Sequence, residues 1–250
     1  MGFRIVGWTP KILRKAFLGS LVTGSFSFIY FNLLSTKLEI IGQESEHNAE
    51  IINAMRELRT PIYRTSFLLP FRFMEIIFGC VFDKRDYFKY KREIIHSFDN
   101  ERLALDWGQL HAKVSELSHE MHKIPVVVVL PGLSGDSSAP YLKASMTELR
   151  SGGFRTVVAN LRGSGVSQIT HNIFDYRNTE KDLEVVVRHI HHKFPKANIY
   201  FMGFSYGASY GTTVMARNQD IVKGMFSVAN PFDVYKAGIS LNSNTNAIYA

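Results

Sequence analysis

Near the end of the chain, Gly203-Phe204-Ser205-Tyr206-Gly207 sets a serine hydroxyl between two glycines, each two positions away. The pattern G-x-S-x-G suits nucleophilic acyl chemistry when a strand precedes it and a helix follows. Both flanks are present. Ile199 through Met202 is a short β-type run, and Ala208, Ser209 and Gly211 begin a helix-like segment rich in small residues. A serine on so sharp a strand-to-helix turn carries a strained backbone. Gly203 and Gly207 remove the Cβ atoms that would collide as strand and helix approach. Ser205 is then exposed at the strand's end, next to a helix N-terminus able to stabilise developing negative charge. Ser205 reads as a catalytic nucleophile.

The elements that must hold such a serine are legible upstream. Val126 through Leu130 is an unbroken run of β-branched and apolar residues, as expected of a strand buried on both faces, and Pro131-Gly132-Leu133-Ser134-Gly135 follows it. Tyr141 to Arg150 reads as a helix closed by Gly152-Gly153, and Thr156 to Ala159 as the next strand. Thr179 with Asp182 three residues later has the spacing of a capping box, opening a helix with Leu183, Val186, Val187 and Ile190 on one face. His189, His191 and His192 suit that helix's C-terminus. Gly224 to Ala229 reads as a further buried strand, and Arg92 to Phe98 with Arg102 to Trp107 as a hairpin about Asp99-Asn100. Alternating strands and helices imply a doubly wound, mostly parallel α/β sheet of the α/β-hydrolase architecture.

Other chemistries fit less well. Gly163 and Gly165 lack the third glycine and the downstream acid of a dinucleotide site, so no cofactor is expected. His111, His119 and His122 lie on a polar stretch and read as solvated; no metal is expected. The net charge of +7 is spread along the chain without a basic, aromatic-interleaved stripe, which argues against nucleic acid as a partner. An anionic membrane surface fits that charge better. Cys80 is the sole cysteine, so no intrachain disulfide is possible.

The N-terminal part points to a bilayer. Residues 16–34 (AFLGSLVTGSFSFIYFNLL) carry no charge, and a span needs about 20 such residues. Arg4, Lys11, Arg14 and Lys15 precede the run, while Glu39, Glu44, Glu46 and Glu50 dominate its far side. This asymmetry predicts a single-pass transmembrane helix with a cytosolic N-terminus. A cleaved signal peptide and a buried core helix are the alternatives. Residues 1–36 are thus expected to form tail and anchor, residues 37–90 a helical tether with an interfacial apolar stretch at 67–82, and residues 91–250 the α/β domain.

The segments YKREIIHSFDNERLALDW, VVVVLPGLSGDSSAPYL, TVVANLRGSG and NIYFMGFSYGA resemble the membrane-anchored lipase and esterase branch of the α/β-hydrolase superfamily. That branch includes fungal medium-chain fatty-acid ethyl-ester synthases. The resemblance implies hydrolysis of short- or medium-chain acyl esters or lipids, or acyl transfer to an alcohol, at an endomembrane such as the endoplasmic reticulum. It implies an oxyanion hole built from the backbone amides of Leu133 and Tyr206, and an Arg162 that ties loops together. The family order places an acid and then a histidine after the nucleophile. Here only Asp220 and Asp233 follow Ser205, and no histidine does. Asp233, after a sheet strand, is the candidate acid, and His171, in a loop near the sheet's carboxyl edge, the candidate base. The resemblance implies a C-terminally incomplete chain. The alternative is an inactive, membrane-tethered scaffold with a hydrolase fold.

Overall fold

The computed structural model describes residues 35–37, 45–54, 62–64, 88–110, 121–165, 167 and 176–245. The chain divides into two compact units, Met1–Asp83 and Lys84–Ala250. The expected anchor at residues 16–34 and the apolar stretch at 67–82 lie outside the described residues. Among the described residues no helix is long and apolar enough to cross a membrane.

In the first unit, β1 (Ser35–Lys37) pairs antiparallel with β2 (Ile62–Arg64), Ser35 opposite Arg64. This pairing was not expected from the sequence, because three-residue strands are too short to display alternation. Helix α1 (Glu46–Ala54) begins after Ser45, whose hydroxyl accepts from the Asn48 amide at 3.1 Å, a side-chain N-cap. The helix buries none of its residues, and Ile51 and Ile52 are exposed.

The second unit is built on a six-stranded mixed sheet. Its strands are β3 (Tyr90–His96), β4 (Arg102–Gly108), β5 (Val126–Leu130), β6 (Arg155–Asn160), β7 (Ile199–Phe204) and β8 (Val222–Val228), in spatial order β3-β4-β6-β5-β7-β8. The pairs β3–β4 and β4–β6 are antiparallel, and β6, β5, β7 and β8 run parallel. The hairpin turns at Ser97–Glu101, where the Ser97 amide donates to the Glu101 carbonyl at 2.8 Å and Asn100 adopts φ 70°. Asparagine tolerates that left-handed conformation, which is what a tight hairpin demands.

Strand alternation sorts the core into two layers. On one face Leu103, Leu105, Val126, Val128, Leu130, Val157 and Ala159 meet Leu183, Val186, Val187 and Ile190 of α3 (Tyr176–Lys193) and Tyr210 and Val214 of α4 (Tyr206–Arg217). On the other, Val127, Val129 and Val158 meet Phe88 and Leu142 and Met146 of α2 (Pro140–Ser151). All five residues of β5 are buried, since helices cover both its faces.

Two expectations are corrected. Thr179 does not open α3: the helix starts at Tyr176, so Thr179 is an interior, buried residue. Asp182 caps nothing and turns to Arg162 instead, because a carboxylate buried beside a guanidinium is held there by charge. The last strand is not a buried one. Of β8 only Val222 is buried, and Phe226 is 60% exposed. β8 is the sheet's edge strand within the described residues and lacks the second neighbour that β5 and β7 have. Beyond it α5 (Val234–Thr245) carries Val234, Tyr235 and Ile239 exposed.

Candidate active site

Ser205 is the single residue between β7 and α4, with φ 50° and ψ −118°. Those angles lie outside the regions open to L-residues and store about 1–3 kcal/mol of strain. The surrounding bonds hold it there. Its amide donates to the Val228 carbonyl at 2.9 Å, and its carbonyl accepts from the amides of Ala208 at 2.9 Å and Ser209 at 3.2 Å. The two glycines are required sterically. A Cβ on Gly203 would stand 2.7 Å from the Ala208 Cα, and one on Gly207 would stand 2.4 Å from the carbonyl oxygens of both Leu130 and Pro131. The side chain of Ser205 is left exposed at the carboxyl end of the sheet.

The loop after β5 comes alongside. A Cβ built on Gly132 would lie 3.5 Å from the Ser205 Cβ, an ordinary van der Waals distance. Gly132 is fixed from two sides: its carbonyl accepts from the Gly135 amide at 2.9 Å, and its amide donates to the Tyr141 hydroxyl at 3.2 Å. Ser134 takes φ 58° to close the turn. No carbonyl among the described residues accepts from the Leu133 amide. Tyr206 is the first residue of α4, and the amides of a helix's first turn point away from its own carbonyls. Leu133 and Tyr206 line one small cavity of about 80 Å³ together with Arg162 and Tyr210. Ser205 is not among that cavity's lining residues; it precedes Tyr206 in the chain and lies near Gly132, the residue before Leu133.

Arg162 does what was expected of it and ties three segments into one. Its guanidinium meets Asp182 of α3 at 2.6 and 2.7 Å, Asp99 of the hairpin turn at 3.0 Å on two nitrogens, and the Ser97 hydroxyl at 3.2 Å. Ser97 also donates to Asp182. Arg162 is held well above the ordinary arginine range, chiefly by its bond to Asp182, and Arg162 in turn holds Asp99 below the usual carboxylate range. A guanidinium so paired is a clamp, with no proton to give.

Asp233 sits elsewhere in the local chemistry. Its carboxylate accepts from the Lys236 amide at 2.9 Å, capping α5, and pairs with the Lys236 ammonium at 3.3 Å. His171 lies outside the described residues. No histidine among the described residues hydrogen-bonds to Ser205 or Asp233.

One functional support escaped the sequence reading. Asp106, in the middle of β4, is fully buried, bonded by Arg92 at 2.6 and 2.7 Å, by the Ser137 hydroxyl and by the Asn160 side chain at 2.9 Å. Ser137 belongs to the loop between β5 and α2, so Asp106 anchors the far end of the loop that carries Leu133. The available signal was a lone carboxylate inside the otherwise apolar run of β4.

A strained serine between strand and helix, flanked by glycines and facing a glycine-containing loop after the central strand, is the arrangement of the α/β-hydrolase fold. Residues 125–245 match the family model described as the alpha/beta hydrolase fold. It is similar to an embryogenesis-associated protein of Picea glauca, 32% identical over 78% of this chain and 42% of the relative. It is also similar to a monoacylglycerol lipase of Saccharomyces cerevisiae, 34% identical over 48% of this chain and 27% of that one. A medium-chain fatty acid ethyl ester synthase/esterase of the same yeast is 30% identical over 59% of this chain and 37% of its own length. Each match covers less than half of the relative. Among solved structures, an esterase of Pyrococcus furiosus shares the fold at a TM-score of 0.54 and 19% identity, over 65% of this chain and 60% of that one.

Proposed function

We propose that this chain is the nucleophile-bearing part of a serine carboxylesterase or lipase. One observation supports the reading: Ser205 is held at φ 50° and ψ −118° and exposed, with Gly132, the chain neighbour of Leu133, at van der Waals distance from it. Ser205 Oγ attacks the ester carbonyl carbon. The charge that develops on the carbonyl oxygen is met by the Leu133 and Tyr206 amides, each worth about 3–4 kcal/mol of transition-state stabilisation. The alcohol leaves with a proton, and the acyl group is then passed to water or to a second alcohol. The base that takes the serine proton is a histidine. Within this sequence His171 is the candidate, with Asp233 as its acid. The substrates proposed are short- and medium-chain acyl esters or lipids, in keeping with the names of the yeast relatives. Residues 16–34 are proposed to anchor the domain in an endomembrane, the N-terminus on the cytosolic side, on the strength of their length and flanking charges.

A second reading, a hydrolase-like scaffold without turnover, is favoured by the capping role of Asp233 and its pairing with Lys236. Hydrolysis of 4-nitrophenyl esters of graded acyl length, by membranes carrying the chain or its Ser205→Ala variant, separates the two. Turnover that vanishes with Ser205 supports the enzyme. Equal, background rates for both leave the scaffold.

A further inference from the structure

Tyr141 lies between the two halves of the site and has no role in the reading above. It is the second residue of α2, whose start is rigid: Pro140 occupies the first position, and Asp136 holds the preceding turn by accepting from the Ser138 amide at 2.7 Å. Its ring meets that of Phe204, the residue before the nucleophile, edge-on at 4.9 Å. Its hydroxyl accepts from the amide of Gly132, the residue before Leu133, at 3.2 Å. One side chain thus touches the immediate neighbours of both Ser205 and the proposed oxyanion donor.

Two adjacent amides, those of Gly132 and Leu133, belong to this loop, and Gly132 lies beside Ser205. An amide committed to a phenol oxygen is unavailable to a substrate oxygen, and that bond fixes the Pro131–Gly132 peptide, while the next peptide, which carries the Leu133 amide, is held through the Gly132 carbonyl by the Gly135 amide at 2.9 Å. From this we infer that Tyr141 is a positioning residue: by holding the Gly132 amide, it fixes the start of the Gly132–Gly135 turn, and that turn aims the Leu133 amide at the substrate carbonyl oxygen. The loop closes around the same hydroxyl, for a Cβ on Gly135 would stand 3.0 Å from it, and one on Gly132 3.7 Å. The inference rests on the serine-hydrolase reading for its catalytic consequence and on geometry alone for the loop's fixation.

The test uses Tyr141→Phe, which keeps the ring against Phe204 and removes only the acceptor. Two quantities are measured on the full chain: the rate at which a fluorophosphonate labels Ser205, and hydrogen exchange at the Gly132 amide. A solvent-exposed hydrogen bond is a modest constraint, so labelling is expected to slow about tenfold rather than by the full factor of an oxyanion donor. Gly132 exchange is expected to quicken while the β5 amides keep their protection. Gly135→Ala, which crowds the hydroxyl, is expected to act in the same direction. Equal labelling rates in wild type and Tyr141→Phe overturn the catalytic part, and unchanged Gly132 exchange overturns the positioning itself. If the wild-type chain takes no label, the hydrolase reading and the oxyanion role fall together, and Gly132 exchange still decides whether Tyr141 fixes the loop.

Discussion

Gly207 faces the Leu130 carbonyl so closely that a Cβ on it would stand 2.4 Å from the oxygen. The atoms it would meet are backbone, at the end of the fully buried central strand, and cannot move aside cheaply. The first turn of α4 and the loop after β5 are thereby locked at one separation, which sets the distance between the Tyr206 and Leu133 amides. Gly207→Ala is expected to cost at least about 1–3 kcal/mol of stability, the range of overpacked sites. Its urea unfolding midpoint should fall accordingly. Gly238→Ala, inside α5 with nothing within 4 Å, serves as the contrast and should instead stabilise by about 0.5–1 kcal/mol.

The strain at Ser205 has a signature of its own. Glycine adopts positive φ at little steric cost, whereas alanine does not. Ser205→Gly should therefore be more stable than Ser205→Ala by about 1 kcal/mol, reversing the usual order of the two residues. Paired denaturant melts measure it, and the ordinary order would show that the elbow is unstrained.

The two classes of ion pair in the second unit should differ sharply. Arg162 is buried with Asp182, so Arg162→Met leaves a buried carboxylate uncompensated and should cost about 3–5 kcal/mol. Arg217, whose side chain is 56% exposed beside Glu180, should lose at most about 1 kcal/mol on the same substitution. Comparable losses in thermal or urea melts would contradict the clamp assigned to Arg162.

Acid stability should report Asp106. Burial pushes its carboxyl up, but the bonds from Arg92, Ser137 and Asn160 outweigh burial and hold it below the ordinary value. A carboxyl with a depressed folded pKa binds fewer protons folded than unfolded. Its stabilisation is complete above the unfolded value, near pH 4, and is lost as pH falls through the folded one. Asp106→Asn should lower stability at neutral pH and flatten the loss of stability below about pH 4. An acid limb as steep as that of wild type would show that the carboxylate does not carry it.

The sharp strand-to-helix turn at Ser205, the elbow glycines, β5 and the apolar face of α3 were legible because each depends on local pattern: motif, steric need, β-branching or helical period. Long-range partners were not. Asp182 stands three residues after Thr179 and looked like a cap, yet its partner Arg162 lies on another loop, and no periodicity encodes a charge pair across segments. Asp106 was silent for the same reason, since Arg92, Ser137 and Asn160 converge on it only after β3, β4 and β6 pair. The exposure of β8 was misread because an apolar run states preference for burial, and only the sheet order decides whether a neighbour is there.

The most direct measurement is peptide mapping of the folded chain after fluorophosphonate treatment, beside the Ser205→Ala variant. The expected result is one adduct, on the peptide containing Ser205, that is absent from the variant. An adduct that persists in the variant, or a folded chain with no adduct at Ser205, would contradict the assignment of Ser205 as the nucleophile.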